Sequence, residues 1–296
     1  MKHWIQAMRL RTLPLAASGI VCGSALAWSY QPQPWLIFML CLLTAFSLQV
    51  LSNLANDYGD YVAGADNAGR IGPARAVQSG AIRPEAMRRG IIITAIIALA
   101  AGLLLLWFAC FSAGRTATGC AFLAVGLCSI AAAIRYTAGN NPYGYRGLGD
   151  LAVLLFFGGA AVAGTSLMYT AAFRLEWILP ALAIGLFSVG VLNLNNMRDR
   201  ENDGRSGKIT VAVRLGKVRA KYYHLLLLTI GWLCLIIFAL GRQHNYLWFA
   251  LLAPAVLMSI HLRFVFRNTE DRQLDGELKK LALSTLLVAV ILFLIR

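Results

Sequence analysis

LSNLANDYGDYVAGAD, residues 51–66, closes an apolar run that begins near residue 36. The run is long enough to cross a bilayer as a helix. It ends by placing Asn53, Asn56, Asp57, Asp60 and Asp66 where a membrane helix tolerates polar groups least. At about 100° per residue, Asn53, Asp57 and Asp60 fall within a narrow sector of one helical face. The chain then breaks at Gly64, reaches Asp66, and runs on through a glycine-rich basic segment with Arg70, Arg75 and Arg83. Carboxylates at the end of a membrane helix call for a chemical reason.

The rest of the chain repeats the apolar theme. Of its 296 residues 59% are hydrophobic and 14% charged, and the mean hydropathy is +0.66. Nine runs approach the length of a membrane helix: 13–30, 36–55, 91–111, 117–134, 149–170, 177–197, 223–240, 246–262 and 279–295. They are too long and too numerous for membrane β-strands, which alternate in short segments. The first follows MKHWIQAMRLRT and resembles a signal peptide, but it is long for one and eight more follow, so it reads as the first anchor. The expectation is one all-α, polytopic membrane domain over residues 1–296 with about nine transmembrane helices.

Charge sets the orientation. With the N-terminus in the cytoplasm, 23 of the 27 Lys and Arg residues fall on the inner side; Arg115, Arg174, Arg242 and Arg296 fall outside. The C-terminus is then periplasmic. This asymmetry accounts for the net charge of +14 and removes the case for nucleic-acid binding. Of the 13 acidic residues only Glu176 lies outside, so one membrane face carries the chemistry. The six cysteines are scattered through apolar runs with no C-x-x-C pair, and the four histidines have no ligand spacing. They read as packing or interfacial residues.

A second block, VLNLNNMRDRENDGRSGKITVAVRLG (191–216), has the grammar of the first. Asn196, Asp199 and Asp203 share a helical face, and Gly204, Gly207, Lys208 and Arg214 follow. Close carboxylates repel unless a cation holds them. Carboxylate and amide oxygens are hard ligands suited to Mg²⁺, which bridges readily to phosphate, and Arg and Lys neutralise further phosphate oxygens. Two such clusters facing each other make a diphosphate site. The bland alternative, solvated helix ends with charge-paired loops, serves for one cluster but not for two that both begin at membrane depth. The third inner loop, IRYTAGNNPYGYRGLGD (134–150), has no G-x-G-x-x-G, and GRSGKIT is not a P-loop. By composition Tyr136, Tyr143 and Tyr145 are interfacial anchors.

These motifs resemble those of the UbiA-type intramembrane prenyltransferases. The first signature, Asn-Asp-x-x-Asp with a further carboxylate, stands here as Asn56-Asp57-Tyr58-Gly59-Asp60; the second, Asp-x-x-x-Asp before a basic loop, as Asp199 to Asp203 and Lys208. The likeness covers essentially the whole chain. NLANDYGDY, GRIGPARAVQSGAI, YTAGNNPYGYRGLGD and GKITVAVRLG look like the members whose acceptor is 1,4-dihydroxy-2-naphthoate. One position departs: the common spacing puts a third carboxylate at residue 64, which is Gly here, with Asp66 two residues on.

The resemblance implies a UbiA-like arrangement of helices around a central cavity in a bacterial inner membrane, with the active loops cytoplasmic. It implies transfer of a polyprenyl group from polyprenyl diphosphate to 1,4-dihydroxy-2-naphthoate, with loss of carbon dioxide and diphosphate. Mg²⁺ would be held by Asp57, Asp60, Asp199 and Asp203, with Asn53 and Asn196 as neutral ligands or supports. Arg70, Arg75 and Lys208 would hold the diphosphate, and Tyr136 would face the allylic cation. Tyr143 and Tyr145 are further candidates, and Asp66 and Asp150 are candidate bases. Rival readings are a sister enzyme acting on 4-hydroxybenzoate and an ion-coupled transporter, which would place its carboxylates near the midplane instead.

Overall fold

Every regular element among the described residues is helical, as a lipid environment requires of backbone that must satisfy its own hydrogen bonds. The computed structural model describes residues 1–28, 34–66, 71–170, 172–241 and 246–295. A short helix α1 (Lys2–Met8) is followed by α2 (Leu13–Trp28), α3 (Trp35–Val62), α4 (Pro84–Ala109) and α5 (Thr116–Arg135). Then come α6 (Gly149–Tyr169), α7 (Ile178–Arg205), α8 (Val211–Leu240), α9 (Tyr246–Arg267) and α10 (Leu274–Leu294). Within α6 the stretch Leu154–Ala163 is π-helical, and α8 is broken at Gly216, whose φ is 74° and ψ 175°.

Among the described residues eight helices are long and apolar enough to cross a membrane. The ninth expected run, 279–295, belongs to α10. Its first turns hold Asp275, Glu277, Lys279 and Lys280, so its apolar part starts only at Leu281. It still packs along α2 and α7 and buries Leu281, Thr285, Val288, Ala289 and Leu292. The difference of one span is a matter of charge at one helix end.

Two helices run further than hydropathy alone suggests. α3 continues to Val62 and α7 to Arg205, beyond the apolar ends near 55 and 197. The extra turns persist because their carboxylates face protein: Asp57, Asp60, Asp199 and Asp203 are all buried.

Packing divides the helices into two neighbourhoods. α7 lies against α8, α10 and α6, and α3 lies against α4, α5 and α2. The larger core cluster joins Leu26, Trp177, Phe187, Leu228, Leu281 and Val288. Small residues permit close crossings: a Cβ on Gly158 of α6 would stand 2.6 Å from the Ala181 carbonyl oxygen of α7. Outward, Ile92, Ile96, Leu103 and Trp107 of α4 and Leu226, Leu233 and Ile237 of α8 are exposed. That is the surface of a multi-pass membrane protein facing lipid.

Candidate active site

Both carboxylate-bearing helices end in the same way. α3 stops at Ala63, and Gly64 adopts the left-handed conformation (φ 71°). The amides of Ala65 and Asp66 then both donate to the carbonyl of Asp60, at 2.9 and 3.2 Å. α7 ends near Ser206, Gly207 is left-handed (φ 76°), and the Lys208 amide donates to the Asp203 carbonyl at 2.8 Å. A helix terminated by glycine reverses its chain within two residues. The reversal lays Asp66 back beside Asp60, and Lys208 back beside Asp203. The glycine at position 64 and the carboxylate at 66 therefore work together.

The two ends meet. Lys208 Nζ lies 3.8 Å from Asp60 Oδ1 and 3.7 Å from Asp203 Oδ1. Arg75 stands between Asp60 and Asp66, with Nη2 3.3 Å from Asp60 Oδ2 and Nε 3.4 Å from Asp66 Oδ2. Tyr145 donates its hydroxyl to Asp60 Oδ1 at 2.9 Å, and Asn202 of α7 donates to the Ala65 carbonyl at 2.8 Å. Asp60, Asp66, Asp203, Arg75 and Lys208 are all buried. Three carboxylates alternate with two cations, so most of the charge is compensated inside the cluster.

Asp57 and Asp199 have other partners. Asp57 Oδ2 accepts from the Ala76 amide at 3.1 Å and Oδ1 from the Val77 amide at 3.2 Å, which ties the loop after α3 back onto the helix. Asp199 receives two hydrogen bonds from Arg198, at 3.0 and 2.6 Å. The same buried guanidinium reaches Asn195 at 2.9 Å and Asp275 of α10 at 2.5 Å, and Arg11 holds the other Asp275 oxygen at 3.0 Å. Asn53 donates to the Met8 carbonyl at 2.9 Å and lies 3.0 Å from the Thr12 hydroxyl, so it fastens the N-terminal segment.

The third inner loop sits over the end of α3. A Cβ on Gly59 would stand 2.6 Å from the Thr137 carbonyl carbon, and the Thr137 hydroxyl lies 3.1 Å from Asn56 Oδ1. Tyr136 and Tyr143 meet edge to face with centroids 5.3 Å apart. Burial raises the Tyr136 hydroxyl pKa above the ordinary tyrosine range, with Asp150 adding to the effect. Burial and then the Asp60 charge do the same for Tyr145, and burial pushes Tyr143 up to about 12. All three remain protonated donors through neutral pH. Asp150 accepts from the Tyr223 hydroxyl at 2.8 Å and stands outside the carboxylate cluster. Arg70 lies outside the described residues.

Beneath the cluster is a cavity of about 380 Å³. Its head is polar, with Asn53, Asn56, Asp60, Arg75, Tyr136, Asn196 and Lys208 on the wall. Below, Ile20, Leu105, Leu106, Phe122, Phe157 and Met168 make an apolar shaft that reaches the far half of α4 and α6. The π-helical stretch of α6 contributes Phe156, Phe157, Ala160 and Ala161 to this wall. Such a shape accepts a molecule with an anionic head and a hydrocarbon tail.

A profile of the UbiA prenyltransferase family matches residues 16–284. The chain belongs to this family. An Escherichia coli (strain K12) relative named 1,4-dihydroxy-2-naphthoate octaprenyltransferase is 42% identical, over 98% of this chain and 95% of its own length. A Haemophilus influenzae protein of the same name is 39% identical, over 98% and 94%. Among solved structures, a UbiA homolog from Aeropyrum pernix K1 superposes with a TM-score of 0.66 at 17% identity, covering 97% of this chain and 95% of the homolog. A UbiA homolog from Archaeoglobus fulgidus, bound to DMAPP and Mg²⁺, gives 0.66 at 13% identity, covering 99% and 100%. These likenesses establish the UbiA fold.

Several residues that join the parts of the candidate site escaped the reading of the sequence. Asn202 and Thr137 stitch the three inner loops together, and Arg198 organises Asp199. Asn202 lies among polar residues with nothing to set it apart, and Arg198 looks like one more inner-side positive charge. Only the long-range contacts reveal them. His224 and His261 also gain a role. They are buried, hydrogen-bonded to each other at 2.9 Å, and His261 meets Glu277 at 2.5 Å.

Proposed function

We propose that this chain transfers a polyprenyl group from polyprenyl diphosphate to 1,4-dihydroxy-2-naphthoate. Carbon dioxide and diphosphate leave, and the product is demethylmenaquinol, the reduced form of demethylmenaquinone, in menaquinone biosynthesis. The observation that carries the reading is the meeting of Asp60 and Asp203 across Lys208, with Asp60, Lys208 and Arg75 lining the polar head of a cavity whose shaft is apolar. The near full-length likeness to the Escherichia coli naphthoate octaprenyltransferase supports the acceptor.

The residues present fit Mg²⁺. Among the described residues no three His, Cys, Asp or Glu side chains form a ready cage. Mg²⁺ does not need one, since it is commonly bound through one or two carboxylates together with substrate phosphates. Asp60 and Asp203 would supply those carboxylates, with Asp66 in reserve behind Arg75. Asp57 and Asp199 stand on the same helical faces, and their held positions support the two ligand helices. Mg²⁺ at this site supplies charge that stabilises the departing diphosphate.

The chain's own groups do the rest. Lys208 and Arg75 bind the diphosphate oxygens and strengthen their hold as negative charge grows on the leaving group. The allylic C–O bond breaks with its electron pair going to diphosphate. The apolar shaft keeps water from the allylic cation, and the Tyr136 ring on the cavity wall offers it an aromatic face. The ring carbon of the acceptor that bears the carboxylate forms the new C–C bond. The bond to the carboxylate then breaks, its electron pair returns to the ring, and carbon dioxide departs. Tyr145, protonated at working pH, holds Asp60 in place. The site lies at the cytoplasmic face of a bacterial inner membrane, where the Lys and Arg residues concentrate.

The test is an assay on membranes containing the protein, with a polyprenyl diphosphate and naphthoate labelled in its carboxyl group. Label should appear as carbon dioxide in step with prenylated naphthoquinol, read after air oxidation as the quinone, and excess chelator should stop both. Prenylation of 4-hydroxybenzoate instead would overturn the acceptor, and turnover that survives chelation would overturn the metal.

A further inference from the structure

Far from the cavity, two lipid-facing stripes end in arginine. On α8, Val218, Tyr222, Leu226, Leu233 and Ile237 recur at helical spacing and are exposed. The exposed Arg219 stands three residues before Tyr222, toward the end of α8 that follows Lys208. On α9, Leu252, Val256 and Ile260 are exposed, and the exposed Arg263 and Arg267 continue their spacing to the helix end. The stripes converge there. Tyr222 and Phe266, both exposed, meet edge to face with centroids 5.4 Å apart. Beside them Lys221 donates to the Phe266 and Asn268 carbonyls at 3.2 and 2.6 Å, which closes the end of α9. α9 otherwise packs chiefly on α10 and only lightly on α8, so the two stripes border a thinly packed seam.

We infer that this place binds one anionic phospholipid, its phosphate held by Arg219, Arg263 and Arg267 and its acyl chains lying along the two stripes. The inference is independent of the proposed reaction. Positive charge at this end of the helices serves orientation wherever it stands, so charge alone makes no site. The surroundings of these arginines do. Among the described residues no carboxylate pairs with any of the three, because the acids nearby are engaged elsewhere. Asp271 is taken by Arg200 at 3.6 Å and Lys217 at 3.7 Å, Glu277 by His261 and Lys280, and Glu270 accepts from Gln273 at 2.7 Å. A guanidinium matches phosphate through paired hydrogen bonds. Its stem lies along apolar surface while its head reaches the headgroup layer. Tyr222 and Phe266 stand between charge and hydrocarbon, where aromatic rings meet headgroups. Charge, aromatic contact and apolar stripe thus follow the order of headgroup, interface and tail. A soluble anion would use only the first of these, and a zwitterionic headgroup would leave the excess of positive charge unmet.

The test is native mass spectrometry of the full chain released from nanodiscs that mix phosphatidylglycerol and phosphatidylcholine with identical acyl chains. The wild type should retain one phosphatidylglycerol in preference to phosphatidylcholine on the order of tenfold or more, as three arginines near a headgroup imply. The combined variant Arg219→Gln, Arg263→Gln and Arg267→Gln should bring that preference to within about twofold of none. A control removes the same number of exposed arginines at the start of α4, Arg83→Gln, Arg88→Gln and Arg89→Gln, and should keep the wild-type preference. A wild type that retains both lipids equally overturns the inference without any variant. A preference that survives the α8–α9 variant, or falls equally in the α4 control, overturns it in favour of diffuse attraction to the inner face. Displacement of the lipid by millimolar inorganic phosphate would show an anion site without tail contacts, and would overturn it too.

Discussion

Asp57 and Asp60 lie three residues apart on one face of α3 and are both buried, yet their surroundings assign them different tasks. Asp60 faces the cavity and touches Arg75, Lys208 and Tyr145, whereas Asp57 accepts two backbone amides from the loop at Ala76 and Val77. Replacement by Asn should separate them. Asp60→Asn should lower turnover on the order of 10²-fold or more, and because it leaves the buried Arg75 and Lys208 short of a counter-charge it should lower the melting temperature as well. Asp57→Asn turns an NH₂ group toward an amide that needs an acceptor, and should cost about 1–3 kcal/mol of stability. Calorimetry beside turnover reads both, and a melting temperature unchanged in Asp57→Asn would refute the structural role. The sequence showed that both carboxylates share a face and belong to the site. It could not show which one faces the cavity, because that depends on where a loop 19 residues downstream in the chain returns.

At the scale of elements, what the sequence made plain was what lipid imposes. Apolar runs had to be helices, and carboxylates at their inner ends had to be held. Helix shape was less visible. No residue pattern announced the π-helical stretch of α6, whose widened turns line the cavity with Phe156 and Phe157. Nor did spacing reveal how α9 is fastened. His261 of α9 joins His224 of α8 at 2.9 Å and Glu277 of α10 at 2.5 Å, and Lys280 reaches Glu277 at 2.6 Å. These partners are separated by 37 and 16 residues, so no local period encodes them. None of the three buried groups lines the cavity. His261→Ala should therefore destabilise the fold by about 1–3 kcal/mol or more, as when a buried hydrogen-bonded group is removed and its partners are left unsatisfied. KM for both substrates should stay near wild type in the protein that remains folded. A variant that melts normally but binds substrate poorly would show that the cluster serves the site instead.

For the whole molecule, orientation decides whether the site can be supplied. The charge asymmetry predicts that the loop between α3 and α4 is inside and the turn between α4 and α5 outside, with the polar head of the cavity on the inner face. Ser79 and Ser112, both exposed, stand in these two segments. Each can be changed to Cys in a background where the exposed Cys120 and Cys128 of α5 are replaced by Ala. An impermeant maleimide should label Ser112→Cys in intact cells, and Ser79→Cys only after the membrane is opened. The reasoning rests on electrostatics more than on fold, since lysine and arginine resist translocation whichever way the helices could otherwise insert. Because Arg75 and Lys208 count among the charges expected inside and among the proposed diphosphate ligands, the proposal has the residues that orient the protein also build its site. Labelling of Ser79→Cys from outside would invert the whole arrangement, and would require both substrates to arrive from the periplasm.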